Sequence, residues 1–461
     1  MPGESHHRAS FRDPRGFIFE RDGQVYRQID RSFADSWERL TTSGVLDRLS
    51  ERRMLVSHEG ADLELAPVPG AIAIIRPARV PFISYPYEWC FSQLKDAARL
   101  TLDIMKLAMA DGFWLRDASA FNVQFVDSAP VFIDTLSLEP YVDGAPWPAY
   151  GQFCRHFLAP LALMAHVDVR LGSLLRDYID GIPLDLASKL LPGMTKLSPG
   201  LALHIHAHGK SVVQSGHSSG KAAHISRNAL LGMLDNLAAT VEGLCLPKSL
   251  TTTWGDYYQD NNYSDAAFAA KRKLVSEFAA AIKPRPGLAW DLGANTGVFT
   301  ETLSEYAEMS VAWDVDPLAV ERAYQHWKSQ SRASILPLLQ DFSNPSPGLG
   351  WNHDERDSLA TRGPADVVMV LALIHHLAIG NNVPLGHIAS WLASLGRHAI
   401  VEFVPKSDSQ VIRMLSSRED IFDGYSIEGF RASIADTFES LQEMPIPGTE
   451  RTLFLLKGRS V

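Results

Sequence analysis

Asp291-Leu292-Gly293-Ala294-Asn295-Thr296-Gly297 puts an acid at the end of an apolar run, then two glycines before a helical pattern. Glycine adopts positive φ freely and lets a ligand approach the backbone, while a helix start offers unpaired N–H groups. Such a turn suits a nucleotide-like ligand. Asp314 and Asp341 close two further apolar runs, His375 and His376 follow another, and Glu402 ends the stretch Ile400-Val401-Glu402. A neutral imidazole or a carboxylate at the mouth of a cleft can take up a proton. These residues therefore combine ligand binding with a candidate proton transfer.

The elements that must position them alternate. "LAWDLG", "SVAWDVD", "SILPLLQD", "ADVVMVLALI" and "HAIVEFVP" read as strands, separated by the helical patterns "GVFTETLSEYAE", "PLAVERAYQHWKSQ" and "PLGHIASWLASL". Alternation of this kind predicts a doubly wound α/β domain with a parallel sheet over 251–461. "SLQEMPI" and "RTLFLLKG", joined by Pro447-Gly448-Thr449-Glu450, predict a terminal antiparallel hairpin. Asp316 with Pro317 reads as the cap and first turn of a helix.

Gly-rich turns are shared by several nucleotide folds. This one lacks the third glycine of a dinucleotide fingerprint and the lysine of a phosphate loop. Asp291 to Gly297 resembles the first motif of class I S-adenosylmethionine (SAM)-dependent methyltransferases, with Asn295 in place of the middle glycine. "VAWDVDP", "LLQDF" and "VLALIHHL" are similar to the second, third and fourth motifs of that family. The resemblance covers 251–461 and implies a Rossmann-like fold with SAM as cofactor. It implies that Gly293, Asn295 and Gly297 approach the methionine portion and that Asp291 supports them. Asp314 would bind the ribose, Asp341 the adenine amino group, and Phe342 its face. His375, His376 and Glu402 are the candidate catalytic residues. No metal is implied. "NPSP" follows the third strand and reads as a turn. Trp254, Tyr257, Tyr258 and Tyr263 form either a lid or a packed joining helix. In the long loop after the third strand, Arg356 and Arg362 are expected to form surface ion pairs or to hold an anionic substrate.

Residues 16–203 read as an α+β domain. "LRDASAFN" follows the pattern of a kinase catalytic loop, and Asp134 falls near a second acid of that family. The region resembles the C-lobe of protein-kinase-like phosphotransferases, implying Asp117 as base and Asn122 and Asp134 as metal ligands. It departs from the pattern at several points: no lysine precedes Lys95, no Gly-rich loop is visible, and Thr135-Leu136 follows the acid. A degenerate, kinase-like binding module is the expectation. Residues 1–15 are expected to be disordered. Residues 204–250 are expected to be a linker and connecting helix, with His204, His206 and His208 as linker or strand-edge residues.

Length and composition bound the rest. At 461 residues, with 46% hydrophobic and 21% charged residues, the chain is expected to form two soluble domains. A net charge of -10 argues against nucleic acid as a general partner. Three dispersed cysteines suggest a reducing, cytoplasmic setting. The longest apolar run, Phe157 to Ala165, is shorter than the ~20 residues of a membrane span, so no membrane insertion is expected. The whole arrangement resembles bacterial two-part methyltransferases, among them a rhizobial nodulation protein, which implies a glycan or nodulation-signal precursor as methyl acceptor. Two other readings stay open: a regulatory protein that binds SAM without turnover, and a methyltransferase joined to an atypical phosphotransferase.

Overall fold

Gly16 opens the first strand where no side chain fits: a β-carbon there would stand 2.1 Å from the Gln28 carbonyl oxygen of the neighbouring strand. The computed structural model describes residues 7–208, 224–252, 254–255, 264–330 and 334–459. It divides into two units, one of 1–250 with 349–356, the other of 251–348 with 357–461.

In the first unit β1 (Gly16–Arg21), β2 (Gln24–Asp30), β3 (His58–Ala61) and β4 (Ala71–Pro77) form an antiparallel sheet in the order β1-β2-β4-β3. Helices Ala34–Ser43 and Val45–Glu51 lie between β2 and β3 and meet at Gly44, whose φ of 71° suits glycine. Helix Phe91–Ala110 buries a long apolar face. Two small two-stranded antiparallel sheets follow, β5 (Phe113–Leu115) with β8 (Leu138–Pro140), and the hairpin of β6 (Val123–Val126) with β7 (Ala129–Phe132). The remainder is helical.

Two expectations change here. Residues 7–15 are tied down: His7 N donates to Ile18 O at 2.7 Å, and Arg15 pairs with Glu139 at 2.8 Å. His204 and His206 are not in a linker but in the π-helical turn Ala202–Ala207, both buried. His204 contacts Tyr150 Oη at 2.7 Å and Asn236 at 2.8 Å, and His206 contacts Ser188 at 2.8 Å and Thr195 at 2.9 Å. Hydroxyl and amide partners satisfy these rings, which is why an apparently polar stretch is buried. Helix Arg227–Gly243 follows the undescribed 209–223.

The second unit is built on β9 (Leu288–Leu292), β10 (Met309–Asp314), β11 (Ile335–Leu339), β12 (Ala365–Val370), β13 (Gly396–Phe403), β14 (Phe438–Pro445) and β15 (Thr452–Gly458). Their order is β11-β10-β9-β12-β13-β15-β14. The β9–β13 strands run parallel, and β15 and β14 close the sheet antiparallel. The parallel strands are buried along nearly their whole length, as helices on both faces require. The doubly wound architecture and its terminal hairpin are as the sequence pattern predicts. Among the described residues no helix is long and apolar enough to cross a membrane.

Candidate active site

Strand order reverses on either side of β9, since the chain passes from β9 outward through β10 to β11 and then returns to β12. Ligand crevices form at such points, beyond the carboxyl ends of the strands. The turn after β9 holds three positive φ values, 82° at Gly293, 51° at Asn295 and 82° at Gly297. Gly293 N and Ala294 N both donate to Trp313 O at 2.9 Å. Asn295 N donates to Asp314 Oδ2 at 2.7 Å, and its side-chain amide donates to Trp254 O at 2.8 Å.

A cleft of about 210 Å³ opens there, lined by Trp254, Gly293, Asn295, Asp314, Asp341, Phe342, Leu373 and His376, among others. The structure thus gathers five of the seven predicted cofactor residues. The other two stand behind it. Gly297 begins helix Val298–Ser304, where a β-carbon would lie 2.1 Å from the Trp327 ring, so packing is what demands glycine. Asp291 is buried and accepts the Thr300 hydroxyl at 2.5 Å. Burial, reinforced by Asp314, pushes its carboxyl up to about 7.

Asp314 Oδ1 accepts the Asp316 amide at 2.8 Å. Burial pushes this carboxyl up to about 6, although the Asp316 and Asn295 amides favour its ionised form. Asp316 caps helix Pro317–Ser329 as its position predicts, accepting from Leu318 N at 3.0 Å and Ala319 N at 3.1 Å. It also accepts Trp254 N at 2.9 Å, which fixes Trp254 beside the cleft. Tyr257, Tyr258 and Tyr263 lie outside the described residues. Asp341 is exposed, with Oδ1 accepting from Ser343 N at 2.8 Å, and Phe342 packs on Trp391 at 5.6 Å.

His376 lines the cleft, its ring edge-on to Trp254 at 5.2 Å, and burial holds it below the usual imidazole range. His375 is buried behind it at a ring separation of 4.2 Å, and its Nδ1 has no hydrogen-bond partner among the described residues. Burial, His376 and Arg451 hold it well below the usual range. Glu402 is fully buried and paired with Lys271 at 2.7 Å and Arg451 at 3.3 Å. Both cations escaped the sequence reading. Lys271 had a signal, since it shares helical spacing with the buried Ala267, Leu274, Val275 and Phe278. Arg451 had none.

The expectation of surface arginines in the long loop changes: Arg356 and Arg362 are half-buried, each over an aromatic ring. Arg362 lies over Trp313 at 5.4 Å. Arg356 belongs to the segment 349–356 of the first unit and sits over Phe121 at 4.2 Å. In the same unit Asp134 pairs with Arg27 and accepts the Ser137 hydroxyl. Burial pushes Asp134 up, but Arg27 and Ser137 outweigh it and hold the carboxyl below its usual range. Asp117 accepts Ser119 N at 2.8 Å, and Asn122 donates to Ser137 at 3.4 Å. A larger cavity, about 350 Å³ and lined by Arg155, Asp177 and Asp180 among others, lacks the convergence of backbone turn, acid and imidazole seen in the second unit.

The chain is 36% identical over 456 residues to nodulation protein NoeA of Rhizobium meliloti (strain 1021), covering 96% of this chain and 94% of that protein. It belongs to the NoeA family. No family model matches the chain. Among solved structures, this NoeA-family chain is similar to the N-methyltransferase NodS of Bradyrhizobium japonicum WM9, with 12% identity and a TM-score of 0.31 over 43% of this chain and 99% of that one. A second is the magnesium protoporphyrin IX methyltransferase ChlM of Synechocystis PCC 6803, with 19% identity and a TM-score of 0.32 over 45% and 93%. Likenesses this loose carry nothing about activity.

Proposed function

We propose that the second unit is a SAM-dependent methyltransferase. The observation that carries this reading is Asp314: a buried carboxylate at the switch-point crevice, held by two backbone amides and still facing the cleft. The cofactor fits the residues present. Each Asp314 oxygen keeps a lone pair for a ribose hydroxyl. The half-buried Gly293, which lines the cleft and carries no side chain, leaves room for the methionine portion, and Asp341 and Phe342 offer a polar edge and an apolar face to adenine. When bound, SAM supplies an electrophilic methyl on a sulfonium. His376, uncharged at neutral pH, accepts the acceptor's proton as the methyl–sulfur bond breaks, the methyl–acceptor bond forms and sulfur keeps the electron pair. The rest of the catalysis is alignment. Glu402 is spent on two cations and takes no proton in this scheme.

Membership of a nodulation-protein family supports a glycan or nodulation-signal precursor as acceptor. No disulfide joins Cys90, Cys154 and Cys245, which accords with a reducing, cytoplasmic setting. The first unit is read as a kinase-like binding module without phosphotransfer, because Asp134 is occupied by Arg27. Magnesium-dependent ATP binding that disappears in Asp134→Ala would count against that part.

Calorimetric titration of SAM and S-adenosylhomocysteine into wild type and Asp314→Ala tests the main reading. Micromolar binding, weakened about tenfold or more in the variant, is expected, equivalent to at least ~1.4 kcal/mol. Absence of binding to the wild type would overturn it. Binding without turnover on any acceptor would favour a regulatory, SAM-sensing protein.

A further inference from the structure

Asn295 holds a φ of 51°, which glycine would adopt without strain. An asparagine there suggests a use for its side chain. Its Oδ1 accepts Thr296 N at 2.9 Å, and its Nδ2 donates to Trp254 O at 2.8 Å. The same tryptophan is held from the other side of its main chain, where its N–H donates to Asp316 Oδ2 at 2.9 Å.

Asp316 and Asn295 are joined in turn through Asp314, which accepts Asp316 N at 2.8 Å on one oxygen and Asn295 N at 2.7 Å on the other. Trp254, Asp316, Asp314 and Asn295 therefore close a ring of hydrogen bonds. The flanking residues are fastened too. Thr252 Oγ1 donates to Asp316 Oδ1 at 2.6 Å, and Arg322 donates to Gly255 O. Gly255 lies close on the helix that Asp316 caps, since a β-carbon there would stand 2.9 Å from the Leu318 side chain.

These bonds explain where the peptide lies, not why an indole is carried on it. Trp254 is half-buried, lines the cleft with Asn295 and Asp314, and meets His376 edge-on at 5.2 Å. Its main chain is tied to the Asp314 corner while its ring reaches the candidate base. An aromatic surface left uncovered in a cleft is stabilised when a ligand covers it.

We propose that Trp254 contacts the methionine portion of the cofactor, and that Asn295 is a positioning residue that acts through it. Asn295 then contributes to binding by holding the Trp254 carbonyl, with its own side chain turned to that segment. The identity of the ligand rests on the SAM reading; the tie between Asn295 and Trp254 does not.

The test pairs calorimetric titration of S-adenosylhomocysteine with fluorine NMR on the full chain labelled with fluorotryptophan, the Trp254 signal being the one lost in Trp254→Leu. Trp254→Leu is expected to weaken binding about tenfold or more. Asn295→Gly keeps the backbone amide to Asp314 and accepts the same φ, so it removes only the side-chain bonds. It is expected to weaken binding about fivefold in the wild type, and no further in Trp254→Leu, because the two residues act as one. The Trp254 fluorine signal should also move in ligand-free Asn295→Gly. Should that variant fail to fold, Asp316→Asn frees the same indole, turning an amide N–H toward Trp254 N while leaving an oxygen for the helix cap. Wild-type affinity in Trp254→Leu, additive losses in the double variant, or an unmoved fluorine signal would overturn the proposal. If the signal moves as expected while the wild type binds neither SAM nor S-adenosylhomocysteine, the cofactor reading fails and the tie of Trp254 to Asn295 stands.

Discussion

Asp314 Oδ2 accepts the Asn295 backbone amide at 2.7 Å, which ties the end of β10 to the turn after β9. A diol that donates to the same carboxylate favours its ionised form, so ligand and proton compete. With the free carboxyl near 6, affinity for S-adenosylhomocysteine is expected to be level above about pH 7. It should fall as pH drops through about 6, approaching tenfold for each further step of one in pH. Calorimetry at a series of pH values measures this, and Asp314→Asn should remove the slope. A wild-type affinity that is flat down to about pH 5 would remove Asp314 from the ribose site.

Gly297 and Trp327 make a second prediction. With φ at 82° and the Trp327 ring 2.1 Å from the β-carbon position, Gly297→Ala meets both backbone strain and overlap. A loss of about 2 kcal/mol or more is expected by denaturant unfolding. Part of that loss should be recovered in Gly297→Ala with Trp327→Leu, because the two sites are coupled. Purely additive losses would show that the indole is not the obstacle.

Asp291 links the turn to pH. Its carboxyl is raised from 3.8 to about 7, so its contribution to stability is fully present below about 4 and is lost as pH rises toward 7. Every tenfold gain in proton affinity on folding corresponds to about 1.4 kcal/mol at most. Asp291→Asn keeps an acceptor for the Thr300 hydroxyl without the charge. It should therefore be more stable than wild type at pH 8 by thermal unfolding, and no more stable at pH 4. Equal midpoints at pH 8 would show that Asp291 is ionised at no cost.

Much of this was legible because it is local. Acid-ended apolar runs, a glycine pair and a proline after Asp316 specify strands, a turn and a cap through nearest-neighbour chemistry. The parallel sheet followed from alternation; its strand order did not. What escaped depended on partners distant in sequence. Nothing around Arg451 announces Glu402, and Glu402 reads as a cleft acid until Lys271 and Arg451 are seen on it. Gly297 matched a ligand motif, yet Trp327 is what requires it. The histidines at 204 and 206 read as linker because their partners Asn236, Ser188 and Thr195 lie elsewhere in the chain. Arg356 reads as a surface residue because Phe121, beneath it, is far away in sequence.

That segment carries the last prediction. Glu355 is 3% exposed, and Arg12 grips it through Nε at 3.0 Å and Nη2 at 2.5 Å. The Trp351 amide adds a third donor at 2.8 Å. Burial pushes Glu355 up, but the Arg12 and Trp351 hydrogen bonds outweigh it and hold the carboxyl below 4.5. Its stabilisation is therefore present above the unfolded value and lost as pH falls through the folded one. Arg12→Ala leaves the carboxylate buried without its cation, which favours a sizeable loss. Arg12 itself is 63% exposed, so water and salt screen the pair. The balance is a cost of about 1–2 kcal/mol at pH 7 by denaturant unfolding. The gap between variant and wild type should close as pH falls through the lowered folded value of Glu355, where the carboxyl becomes protonated in both. A gap that stays constant across that range would mean that Arg12 acts by packing on Phe11, whose ring it overlies at 5.3 Å, and not through its charge.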